Sequence, residues 1–336
     1  MKSVICEAPH ALGIGERSLP ERHAGEVLIR IGRVGLCGTD YHIFAGNQPF
    51  LAYPRVMGHE LAGTVAETDA GSAFREGDLV TVNPYLPCGR CIACRKGKPN
   101  CCVDIRVLGV HIDGGMTEFV SVPESAVIAV EGLTPDQAAM VEFLAVGAHA
   151  VRRGNARVAD RALIVGAGPI GVGTALFAAM SGADVTLIDT SSERLTYARE
   201  RIGIAHTAVV DAHVDTYLSD RTDGEFFDIV FDCTGSARAI EKGFAYVAHG
   251  GRYVLVSVVK DTISFADPEF HKREMQLIGS RNATSEDFAR VISAIRQGHI
   301  PTDALKTHSF ALFDLPQVIP DLIAHQGSVL KAIAEL

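Results

Sequence analysis

The sequence has no basic excess. Its 336 residues hold 31 lysines and arginines against 40 acids, a net charge of −9. Such a chain lacks the cationic footprint that non-specific nucleic-acid binding requires. Anionic small ligands stay open, because local charge can oppose net charge. Long apolar runs are missing too, so no segment reaches the roughly 20 residues needed to span a bilayer. The opening stretch MKSVICEAPHALGIGERSLP has neither an apolar core nor a small-residue cleavage site, which predicts no signal peptide. Internal repeats, low-complexity linkers and long charge runs are absent. Disulfide staples are not required: 47% of residues are hydrophobic and 21% charged, enough for a large core. A cytosolic protein with reduced thiols is expected, and there clustered cysteines favour metal over disulfides.

The length predicts about two domains. The first ~145 residues are rich in short β-type runs broken by Gly and Pro, such as EVLIRIGRVG, ELAGTVAE, DLVTVNP and TEFVSVP. A helix start follows at Thr134-Pro135 in TPDQAAMVEFLAVGAHAVRR. From about Arg161 the pattern alternates: RALIVGAG, DVTLIDT, FFDIVFDCTG and GRYVLVSVV read as strands, with helical PIGVGTALFAAMSG, SSERLTYARERIG and SARAIEKGFAYVAHG between them. Strands alternating with helices imply a parallel, doubly wound α/β sheet. A capped helix, TSEDFARVISAIRQGHI, comes next, with Thr284 and Asp287 at capping-box spacing. The chain ends in the apolar VLKAIAEL.

GAGPIG places Gly166, Gly168 and Gly171 after a strand and at the start of a helix, with Pro169 and Ile170 between. That spacing gives a tight turn, close backbone approach to a pyrophosphate and a helix N-terminus aimed at it. Asp189 ends the next strand, where an acid hydrogen-bonds an adenosine ribose and repels a 2′-phosphate. No Arg or Lys follows at once in DTSSER, so NAD is favoured over NADP. Arg194 is a candidate to lie along the adenine or ribose, against the plain alternative of a solvated helix charge. Thr234, in the DCTG that closes a later strand, completes the candidate cofactor set.

Five of the eight cysteines fall in NPYLPCGRCIACRKGKPNCC. Cys88, Cys91 and Cys94 are spaced C-x2-C-x2-C, and Cys101 and Cys102 follow. Four thiolates at such spacing close a tetrahedral zinc site of structural type. Redox catalysis at a CxxC lacks a thioredoxin-like setting, and an iron–sulfur cluster is the other four-cysteine reading. Spacing alone does not choose between Cys101 and Cys102 as fourth ligand. Elsewhere Cys37 in GLCGTDYH, His59 and Glu60 in VMGHELAG, and Glu142 in MVEFLAVGAHA offer a thiolate, an imidazole and carboxylates. Such a set holds Zn²⁺ with one position open. Each residue alone has a plain alternative as a core thiol or a satisfied polar group.

Together these stretches resemble the medium-chain, zinc-containing alcohol and polyol dehydrogenases. CGTDYH, GHELAG, EGDLVTV, the cysteine loop, VEFLAVGAHA and GAGPIG carry the likeness, in order, along essentially the whole chain. The resemblance implies a mostly β, GroES-like catalytic zinc domain (1–145 and 283–336) with an inserted NAD-binding Rossmann domain (146–282), substrate and cofactor meeting in the cleft. It implies Cys102 as the fourth ligand of the structural zinc, with Cys101 spare. It implies Cys37 and His59 as catalytic zinc ligands, with Glu60 and Glu142 sharing the remaining duty. Asp40 matches the acid that orients the zinc histidine. Thr39 matches the hydroxyl that takes the alcohol proton, and His42 the histidine that relays it to solvent. Phe143 departs from the pattern, since polyol relatives usually carry Pro there. The family is usually dimeric or tetrameric.

The substrate end is read from amides and cations. Asn47 and Gln48, just before the zinc histidine, suit a polyhydroxylated ligand, or serve turn chemistry in GNQP. GNQPF, YPRVMGHE, VLGVHIDGG, FADPEFHKRE and GSRNATSEDFA resemble bacterial L-galactonate and L-gulonate 5-dehydrogenases. That likeness implies oxidation of a secondary hydroxyl of a hexonate. The carboxylate then needs a cation, for which His271, Lys272, Arg273 and Arg281 are candidates, with Asn282 adding a hydrogen bond. The alternative is a basic loop that is merely solvated or touches a neighbouring subunit. Rival activities are a polyol, L-threonine or simple alcohol dehydrogenase, and, in another class, a non-catalytic NAD-binding sensor.

Overall fold

The computed structural model describes residues 1–48 and 51–336. Pro49 and Phe50 of the GNQPF stretch lie outside the described residues. The chain folds as two compact units, Met1–Glu142 with Thr284–Leu336, and Phe143–Ala283.

The first unit is built on a seven-stranded sheet. Its long strand, Glu26–Gly35, pairs antiparallel with Glu60–Glu67, with Phe119–Pro123 and with the C-terminal strand Lys331–Glu335. The alternation in EVLIRIGRVG explains the placing: Val27, Ile29 and Ile31 are buried while Arg30 is exposed. The tail VLKAIAEL therefore becomes an inner strand, with Ile333 opposite Gly35. Gly35 in turn stands opposite Glu60. Any side chain at Gly35 would collide with the Glu60 carboxylate, so glycine there makes room for a buried acid.

In TPDQAAMVEFLAVGAHAVRR one long helix is expected. The structure breaks it at Met140, giving Pro135–Ala139 and Val141–Gly154. The Thr134–Gln137 capping box starts the first piece. Met140 ends it with a tight turn onto Gln137 and Ala138. The break places Glu142 in the first turn of the second piece.

The second unit is a six-stranded parallel sheet in spatial order His206–Val209, Asp184–Asp189, Arg161–Val165, Phe227–Asp232, Val247–Leu255 and Gln276–Gly279. This is the doubly wound order with its topological switch point beside Arg161–Val165. The helix read over SARAIEKGFAYVAHG is shorter than expected. It covers Ala237–Gly243, and VAHG already belongs to the strand Val247–Leu255. Among the described residues no helix is long and apolar enough to cross a membrane.

Candidate functional site

Cys37 is the N-cap of the short helix Gly38–Phe44. The Asp40 carboxylate folds back and accepts the Cys37 backbone N–H at 2.9 Å, which fixes both residues at the helix entrance. His59 and Glu60 lead into the strand Glu60–Glu67 and are buried, as are Asp40 and Glu142. The Cys37 sulfur, a His59 ring nitrogen and a Glu60 oxygen lie within 4.8 Å of one another. Glu142 falls outside that group; one of its oxygens accepts the hydroxyl of Tyr85. Both Glu60 oxygens accept from the Lys331 ammonium at 2.7 Å, and Lys331 also donates to the Leu36 carbonyl at 2.9 Å.

The electrostatics of this pocket suit a cation. Three carboxyls and a thiol share it with one lysine and the His59 imidazole, and buried charge must be compensated. Burial pushes the Glu142 carboxyl up to about 7, against the pull of His59, and raises that of Asp40. At His59 burial works against the charged imidazole. The charge and hydrogen bond of Cys37 outweigh it, so the His59 pKa stands well above its ordinary value. His59 Nδ1 and Asp40 Oδ1 are buried without a hydrogen-bond partner among the described residues. A soft sulfur, an imidazole and carboxylates around excess negative charge fit Zn²⁺. Thr39 is half-buried and His42 exposed, three positions apart on the same helix face.

The sulfurs of Cys88, Cys91, Cys94 and Cys102 also lie within 4.8 Å of one another. Cys91 stands 3.5 Å from Cys94 and 3.8 Å from Cys102. The structure thus gathers Cys102 and leaves Cys101 exposed. Backbone N–H groups of Cys94 and Val103 hold the Cys91 thiol down at about 6. Desolvation and the neighbouring thiols push Cys94 up to about 12. Sulfurs so crowded cannot all ionise without a cation among them, which is the donor set of a closed zinc site.

In the second unit a cavity of about 400 Å³ opens at the glycine turn, lined by Gly166, Gly168, Asp189, Arg194 and Thr234. Gly168 caps the helix Pro169–Met180, and the space where its side chain would stand is open. Gly166 has φ +104°, the left-handed region that favours glycine. A side chain at Gly171 would collide with the Gly166 carbonyl. Asp189 accepts the Ala167 N–H at 2.6 Å and the Ser191 N–H at 2.7 Å, tying the turn to the next helix. An open glycine cradle at a helix N-terminus beside an acid fits a dinucleotide with a free ribose.

The substrate candidates are not gathered into one set. Asn47 is exposed and Gln48 half-buried in the first unit. His271 and Lys272 end the helix Asp267–Lys272, ahead of the strand Gln276–Gly279, whereas Arg281 and Asn282 follow that strand. The two pairs therefore stand at opposite ends of a parallel strand, and ligands bind at the carboxyl end. Lys272 pairs with Glu269 at 3.7 Å. Arg273 is spent on the carbonyls of Ala245 and Val247.

Residues 23–132 match the alcohol dehydrogenase GroES-like domain, and residues 169–297 match the zinc-binding dehydrogenase family. The chain is 38% identical to the L-galactonate-5-dehydrogenase of Escherichia coli K12, over 99% of this chain and 98% of that protein. This chain belongs to the zinc-binding alcohol dehydrogenase family. Among solved structures, the alcohol dehydrogenase rspB of Escherichia coli CFT073, complexed with NADH, superposes with a TM-score of 0.93 at 29% identity, covering 100% of this chain and 99% of that one. The L-idonate 5-dehydrogenase of Escherichia coli K-12 superposes with a TM-score of 0.91 at 25% identity, covering 100% and 98%.

The structure of this dehydrogenase also shows residues that sequence reasoning passed over. Lys331 carried a signal, since a lone lysine inside the apolar VLKAIAEL has to find a buried partner. Tyr85, Lys242 and Tyr246 carried none. The last two line the dinucleotide cavity with Cys233, and only the fold brings them there.

Proposed function

We propose that this dehydrogenase oxidises a secondary hydroxyl of a hexonate-like sugar acid, with NAD as hydride acceptor. The observation that carries the reading is the group formed by half-buried Cys37 with buried His59 and Glu60, among more acid than base. The likeness to L-galactonate-5-dehydrogenase supports the substrate class. In this reading the first unit is the catalytic domain and the second the NAD domain.

Cys37 and His59 would hold the catalytic zinc, with Glu60 and Glu142 sharing the remaining duty. Zinc, when bound there, supplies the positive charge that makes a hydroxyl acidic at neutral pH. Asp40 fixes the backbone at Cys37 and stands ready for the second nitrogen of His59, which sets the imidazole tautomer. Thr39 accepts the alcohol proton and His42 passes it to solvent. Asp189 binds the adenosine ribose, Gly166 and Gly168 admit the pyrophosphate, and Pro169, Ile170 and Gly171 shape the helix start behind them. Arg194 and Thr234 flank the cofactor. Cys88, Cys91, Cys94 and Cys102 hold a structural zinc. Arg281 and Asn282 are the better placed candidates for the substrate carboxylate, because they follow the carboxyl end of their strand. Gln48 and Asn47 serve substrate hydroxyls.

The test follows NADH absorbance with L-galactonate, L-gulonate, sorbitol, L-threonine and ethanol. Highest kcat/KM with one of the two hexonates is expected. A neutral polyol preferred over both overturns the substrate class. Absence of turnover with every alcohol, with NAD still bound, supports a sensor instead.

A further inference from the structure

Glu60 groups with Cys37 and His59 while Glu142 lies outside that group, and the structure holds the two acids by unlike means. Glu60 has both oxygens on the Lys331 ammonium at 2.7 Å, in a pair that is fully buried. Glu142 is held by a neutral phenol: the Tyr85 hydroxyl donates to its Oε1. Tyr85 begins the short strand Tyr85–Leu86, paired with Arg106–Val107. Its backbone N–H is fixed by the Asn83 side chain at 3.1 Å, and its side chain is buried. Its place is therefore set by its own loop and not by the acid it meets.

The two partners leave the acids unequal. An ammonium neutralises Glu60 and engages both of its oxygens, so a metal must compete with a cation already in place. A phenol donates one hydrogen bond, brings no compensating charge and engages only Oε1. We infer that Tyr85 is a positioning residue that selects Glu142 over Glu60 as the carboxylate partner of the catalytic metal. It fixes the carboxylate through Oε1 and keeps the other oxygen for the ion. The inference rests on the reading of Cys37 and His59, with these two acids, as a zinc site.

The test compares wild type, Tyr85→Phe and Tyr85→Gln. Zinc content is followed during chelator titration, and visible spectra are taken after cobalt(II) replaces zinc. Loss of the hydroxyl in Tyr85→Phe is expected to weaken the Cys37-site metal about 10- to 100-fold, the usual cost of removing an outer partner of a ligand. The four-sulfur zinc stays unchanged, and the cobalt bands of the Cys37 site shift. Tyr85→Gln keeps an N–H donor and is expected to stay within about threefold of wild type. Wild-type affinity and bands in Tyr85→Phe overturn the inference, as does a loss in Tyr85→Gln equal to that in Tyr85→Phe. If Tyr85→Phe does not fold, Tyr85→Gln decides alone: near-wild-type affinity supports the role, and a large loss overturns it. Wild type holding only the four-sulfur zinc overturns the zinc reading itself, a result distinct from a failure of Tyr85 alone.

Discussion

At the scale of single residues, Cys37 and Asp189 carry the sharpest expectations. Cys37→Ser should lower bound zinc from about two to about one per chain, because a hydroxyl is a poor substitute for a thiolate. Turnover should fall to background while NAD binding persists, which metal analysis and NAD titration check together. Asp189 tests the cofactor. Its two oxygens already hold the Ala167 and Ser191 N–H groups at 2.6 and 2.7 Å. Asp189→Ala should therefore loosen the turn as well as lose the ribose contact. An approximately 10- to 100-fold rise in the NAD dissociation constant is expected from hydrogen bonds to a charged group. NADP should suffer less, because the repelling charge is gone. Both residues were legible in the sequence, since each sits inside a short motif with local geometry. Tyr85 was not, because its partner Glu142 lies 57 positions away.

Elements set what the residues meet. The C-terminal strand Lys331–Glu335 brings Lys331 to Glu60 through its pairing with Glu26–Gly35. Both side chains are buried, at 1% and 0% exposure, so removing one charge strands the other. Lys331→Met should cost about 3–5 kcal/mol in the metal-free protein, as breaking a buried pair does. Adding Glu60→Gln should recover most of it, measured by urea unfolding of single and double variants.

The same strand joins a more exposed network. Asp136, at the start of its helix, takes Arg33 at 2.7 Å and Lys306 at 2.5 Å, and both cations also reach Glu335. Burial works to raise the Asp136 pKa, but Lys306 and Arg33 outweigh it and hold the carboxyl below its ordinary 3.8. The folded state thus binds that proton less readily than the unfolded chain. Its contribution is present above 3.8 and is lost as pH falls through the lower, folded value. Asp136→Asn should cost about 1 kcal/mol, since solvent screens the network. The gap in urea midpoint should hold from about pH 7 to about pH 5 and close only at more acid pH.

For the whole molecule, metal removal separates chemistry from stability. Mild chelation that strips the Cys37 site should abolish turnover with little change in melting temperature, whereas loss of the four-sulfur metal should lower the melting temperature. Zinc content, turnover and thermal unfolding on the same samples check this. Retention of full turnover after the Cys37-site ion is gone would defeat the proposed chemistry.

By itself the sequence determined the fold class, the glycine turn with its acid, and a cysteine loop suited to metal. These depend on periodicity or on partners a few residues apart, which backbone geometry places without help from the rest of the chain. Tertiary structure decided what spacing left open. It gathered Cys102 rather than Cys101, broke the helix before Glu142, and set Lys331 on Glu60 and Tyr85 on Glu142. It also parted His271 and Lys272 from Arg281 and Asn282. Strand pairing and loop packing join positions that are hundreds of residues apart in the case of Lys331 and Glu60. A one-residue slip in register would turn such side chains to the other face of the sheet.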